Sequence, residues 1–122
     1  MSRYNPDRGP DAETWLALDE QERIMLVEQY HRRRRIQLPN RVLHATIHVV
    51  VENQLAMREP VVVEVCARLQ AEGLERHDAI HAIGSILAEQ IHSTLSGEVE
   101  GEPNKAYFAR LRELTAEKWL AG

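Results

Sequence analysis

Three side chains able to bind a metal or carry a proton recur every fourth residue between Asn40 and Ala56: His44, His48 and Glu52. On a helix this spacing stacks them along one face, each a turn beyond the last. A second stretch, His77-Asp78-Ala79-Ile80-His81, repeats the His-x-x-x-His spacing. Imidazole nitrogen and carboxylate oxygen together suit zinc, iron, manganese or nickel. Four of the six histidines fall in these two pairs, and the rest of the chain must bring the pairs together.

Composition sets the frame. The 122 residues read as a single domain, 1–122, long enough to bury a core without staples. An apolar fraction of 43% and a charged fraction of 28% are those of an ordinary globular protein. The net charge of -4 supplies no basic field, so neither nucleic acid nor an anionic membrane surface is expected as a partner. Cys66 stands alone and cannot form an internal disulfide, which fits a reducing compartment. No apolar run reaches membrane-span length and the N-terminus lacks a signal-like apolar core, so the expected location is cytoplasmic.

Periodicity predicts an all-α bundle of about five helices, near 19–34, 40–57, 59–72, 75–96 and 104–119, after an irregular arm over 1–13. Asp19 with Glu22 has capping-box spacing, Asn40 is a good N-cap, and Pro60 suits a first helical position. Gly73-Leu74 matches a glycine C-cap followed by its apolar contact residue. Val49-Val50-Val51 has strand propensity, but the apolar positions around it keep helical spacing, so helix is expected. Trp15, Leu16 and Leu18 suggest a turn of helix covering the core. Arg32 to Arg35 ends one helix, where positive charge complements the helix dipole; a phosphate contact is the weaker reading.

His44 and His48 share their helix's apolar stripe with Leu43, Ile47, Val51 and Leu55, so they face inward. His77 and His81 begin a seam that continues through Gly84, Ala88, Ile91 and Leu95. Short loops predict an up-down-up course, which makes these two helices parallel and sets both pairs at one end of the bundle. Glu28 and His31, late on the preceding helix, reach the same level and are expected to support the site. With one clear carboxylate, a single metal is expected rather than a pair.

Several familiar sites are ruled out. The segment from His44 to His48 lacks the glutamate that zinc proteases place after the first histidine. His77-Asp78 looks like the dipeptide of HD phosphohydrolases, yet no aspartate follows Asp78. There is no glycine-rich phosphate loop, and Cys66 lies on an apolar face.

At HATIHVVVENQLA and RHDAIHAIGSILAE, and at WLALDEQERIMLVEQYHR before them, the chain resembles a family of small bacterial proteins classed as a domain of unknown function. That family carries a His-x-x-x-His-x-x-x-Glu-x-Gln signature on one helix and a histidine motif on a later one. The resemblance spans roughly residues 14 to 92 and implies an all-helical domain without an assigned activity. Related sequences have His-x-x-x-Glu in the second motif, where this chain has His81 in the later place.

The leading expectation is a buried site of His44, His48, His77 and His81, supported by Glu52, holding one divalent metal. If the protein is a hydrolase, a metal-bound water would be the nucleophile and Glu52 the base. Whether it is an enzyme stays open. The alternative is a non-catalytic interaction module, a candidate homodimer whose histidines form a core hydrogen-bond network or sense pH.

Overall fold

Side-chain caps set where most of the helices begin. Asp11 accepts the Thr14 N–H at 3.0 Å and opens α1 (Ala12–Ala17). Asp19 accepts that of Glu22 at 2.8 Å to open α2 (Glu20–Arg33), and Asn40 that of Leu43 at 3.0 Å to open α3 (Arg41–Ala56). Proline occupies the first position of α4 (Pro60–Ala71). Beyond α4, Gly73 takes φ +111° and the Leu74 N–H returns to the Leu69 carbonyl at 3.1 Å, the C-cap that the sequence predicts. α5 (Arg76–Leu95), α6 (Pro103–Glu113) and α7 (Ala116–Ala121) complete the chain. The computed structural model describes residues 3–34, 40–97 and 101–122, and among these there is no strand. The architecture is all-α, with α2 to α6 as the main helices.

One helix was expected over 104–119, and two are found. Leu114 turns extended (ψ 135°), and Thr115 caps α7 by accepting the Lys118 N–H at 3.1 Å. Glu72 holds the corner from outside, accepting the Ala116 N–H at 2.8 Å. A threonine that can cap competes with continued helix, and here a tertiary contact settles the competition.

Two apolar clusters lie on either side of α3. Val51 belongs with Val62, Leu69, Ile80, Ile83 and Leu111. Ala45 and Val49 belong with Tyr4, Trp15, Val27 and Tyr30. Burying each such large side chain contributes about 1.5–3 kcal/mol. At about 100° per residue, His44, His48 and Glu52 fall in the angular gap between the two stripes. The polar row therefore runs along the seam where the two cores meet.

α5 packs against α3, α4 and α6 and is the central helix. Its first half follows the expected seam, and Gly84 allows close approach: a Cβ there would lie 3.1 Å from Ile47 Cγ2. Beyond it the helix presents another face, with Leu87 and Gln90 buried and Ala88, Ile91 and Leu95 exposed.

The N-terminal arm is non-helical up to Asp11, but it is fastened down. Tyr4 is 1% exposed. Arg33 donates to its carbonyl at 3.3 Å, and Arg76 donates to that of Pro6 at 2.8 Å. Arg23 clasps the end of α1 through the carbonyls of Trp15, Leu16 and Leu18, and Asn53 joins Arg23 to the Trp15 indole. Of the arginine run, Arg32 pairs with Glu28 at 3.9 Å and Arg34 lies over the Tyr30 ring, while Arg35 is outside the described residues.

Candidate functional site

Five imidazoles from three helices meet in the seam. His44 and His81 approach to 3.2 Å between their Nε2 atoms. His31 from α2 packs against His44 with ring centroids 4.8 Å apart. His48 lies 5.4 Å from His81 and 5.5 Å from His77 by ring centroid, and His77 lies 4.1 Å from His81. One ligand atom from each of His31, His44, His48 and His81 falls within 4.8 Å of the other three, a spacing that an ion could bridge.

The expected convergence of the two pairs is found, but in a different register. On parallel helices His44 would sit beside His77. Instead His44 meets His81, while Glu52, two turns further along α3, meets Arg76 at the start of α5. Next to the His44–His81 pair Gly84 approaches Ile47 in parallel order, whereas the Glu52–Arg76 contact runs in the opposite order, so α3 and α5 do not keep the single parallel register that was expected.

Hydrogen bonding decides what each nitrogen can do. Arg76 holds Glu52 in a two-pronged ion pair, 2.8 Å at each oxygen, with the Glu52 side chain 1% exposed. The Tyr4 hydroxyl donates its one proton to the Glu52 carboxylate. It can then only accept from His48, whose Nε2 lies 2.7 Å away. That fixes the proton of His48 on Nε2 and leaves Nδ1 as a bare lone pair, which is buried and has no partner. The Nε2 atoms of His31 and His77 are likewise buried without partners. Native proteins rarely leave such atoms unsatisfied, so three of them within one histidine cluster call for a partner.

Burial keeps these rings neutral. It pulls His31 down to about 4 and His81 down to about 3, in each case with help from neighbouring histidines. His44, His48 and His77 are lowered for the same leading reason. Neutral imidazole is the form that ligates a metal. At Arg76, burial works against the charge, but the bonds and charge of Glu52 outweigh it and raise the guanidinium above its ordinary value.

Of the sequence-predicted residues, His44, His48 and His81 form the tight group. His77 adjoins them. Glu52 stands behind His48, with both oxygens engaged. Glu28 is turned to Arg32 at the surface, and its neighbour His31 joins the group as a full member. Sequence reasoning missed Tyr4 and Arg76. The only signals were an aromatic in an otherwise polar arm and an arginine directly before the second histidine motif. Cys66 is buried and its thiol is pushed up by that burial, as a core residue's would be.

A pocket of about 390 Å³ opens onto the group from outside, with His44, His48 and His81 among its lining residues. No family model matches the chain, and neither the curated proteins nor the solved structures include a match to it. Among the described residues no helix is long and apolar enough to cross a membrane.

Proposed function

We propose that this protein is a metalloprotein that holds one divalent transition metal (zinc, iron, manganese or nickel) among His31, His44, His48 and His81. His77 stands at the edge of that set as a further nitrogen donor. Glu52 acts behind the ligands: through Tyr4 it orients His48, as a carboxylate commonly does for a ligating histidine. With its oxygens engaged by Arg76 and Tyr4, Glu52 is given this orienting part and not that of a general base. One observation carries the reading: four imidazoles, of His31, His44, His48 and His81, each bring a nitrogen within 4.8 Å of the others, and two of these rings, His31 and His48, hold a buried nitrogen without a partner. A bound ion would supply Lewis acidity, or redox chemistry if it is iron or manganese. Kinship with the bacterial family that shares the helix signature belongs to the same proposal, since its motif residues are those that build the site.

The rival is an interaction module whose histidines are only a core network. The His44–His81 contact favours it, and so does exposed apolar surface at Leu43, Leu95 and Leu120. Such a network, however, leaves His31, His48 and His77 each with an unsatisfied nitrogen. Elemental analysis of untagged protein purified without chelators separates the two. One transition metal per chain is expected, lost in His48→Ala and in His81→Ala while the helical circular dichroism persists. Metal-free protein whose melting temperature ignores added zinc, iron, manganese and nickel would leave the interaction module.

A further inference from the structure

The access route to the histidines has a chemical character of its own. His31 and His48 are 3% and 2% exposed, and among the described residues the pocket between α3, α5 and α7 reaches the histidine group from outside. Its walls are apolar: Leu43 and Ile47 from α3, Ile80 and Ala88 from α5, and Trp119 from α7. Among the residues lining it there is no lysine, arginine, aspartate or glutamate, and histidine nitrogens are the polar groups at its inner end. A site for a phosphate or a charged peptide needs ionic partners along its walls, and this pocket has none; beside the histidines its polar lining residues are Asn40 and Ser85, and the Ser85 hydroxyl is already donated to the Ala82 carbonyl.

We infer that the site takes a small, largely apolar molecule with one metal-ligating group at its end: the head binds at the histidines and the hydrocarbon part lies along Leu43, Ile47, Ala88 and Trp119. The inference rests on the metal reading above. Its size limit follows from the volume. At about 30 Å³ per water in the liquid, a pocket of about 390 Å³ has room for a molecule of modest size.

Cobalt(II) tests the two readings in order, because its visible absorption reports imidazole coordination independently of any guest. The full chain is loaded with cobalt and titrated with acetohydroxamate and with hexanohydroxamate, which share a head and differ by four methylenes. At about fourfold per buried methylene, the longer probe should bind on the order of 100-fold more tightly. Ala88→Trp, at an exposed position that the fold does not need, should abolish that advantage and leave cobalt uptake and acetohydroxamate affinity unchanged. Equal affinities for the two probes would overturn the inference and spare the metal. Failure to take up cobalt would overturn both. If sedimentation shows a dimer that Ala88→Trp dissociates, with no chain-length effect in the monomer, the occupant is a second copy and the inference fails.

Discussion

At His48 the two ring nitrogens have different fates. Nε2 is held in a line that runs through the Tyr4 hydroxyl to Glu52 and on to Arg76, while Nδ1 is buried without a partner. Removing the hydroxyl leaves the ring packed but free to change tautomer. Tyr4→Phe is therefore expected to weaken metal binding about 10-fold or more, the usual effect of losing a group that orients a ligand. Stability should fall by about 1–3 kcal/mol, because Glu52 and His48 each lose a buried partner. A competition titration against a metal indicator, with thermal melts alongside, measures both. Unchanged affinity in Tyr4→Phe would remove the orienting role. The two histidine pairs were legible from spacing alone, because an i, i+4 repeat on an apolar stripe has one geometric meaning, whereas His31 was expected only as support and joins the group in place of His77. Tyr4 was not, since nothing local tells whether an aromatic in a proline-containing arm folds inward.

The elements show where local rules stop. Helix starts at Asp19 and Asn40 and the stop at Gly73 follow from caps that the sequence spells out. The break before α7 and the register of α3 against α5 do not, because both involve partners distant in the chain: Glu72 at the first, and the Glu52–Arg76 pair at the second. The arm's attachment is of this second kind and can be tested at Gly9. That residue has φ +73°, and a Cβ there would lie 2.7 Å from the Arg76 guanidinium carbon. The guanidinium cannot swing clear without giving up Glu52 or the Pro6 carbonyl. Gly97 has nearly the same φ, +72°, with nothing near its missing Cβ. Gly97→Ala should cost only the left-handed strain, about 1–2 kcal/mol. Gly9→Ala should cost clearly more and should also weaken metal binding, since it disturbs the Glu52 end of the line. Equal melting temperatures for the two variants would mean that the arm does not lean on Arg76.

For the molecule as a whole, the site is a joint. α2, α3 and α5 each contribute imidazoles to it, and the two cores meet along it. An ion bound there ties together helices that otherwise meet through neutral, partly unsatisfied rings. At a free metal concentration of about 100 times Kd, the folded state should gain about 2.7 kcal/mol, read as a rise of roughly 10 °C in melting temperature for a domain of this size and reversed by a chelator. The metal-free protein should show the opposite weakness in acid. Folded His31 titrates at about 4 and His81 at about 3, against 6.5 when unconstrained. Between those limits the unfolded chain takes up protons that the folded chain refuses, so stability falls as pH falls. Melting temperature should be flat above pH 7 and drop progressively from about 6.5 toward 4. Replacing His31 or His81 with Gln should flatten that slope. A slope unchanged by both substitutions would place the acid sensitivity elsewhere, in carboxylates such as Glu72, which accepts the Ala116 N–H and then the Arg68 guanidinium and is held below its ordinary value by them. Its loss would set in only nearer the carboxylate range, so the pH at which the curve first bends distinguishes the histidine joint from the α7 corner.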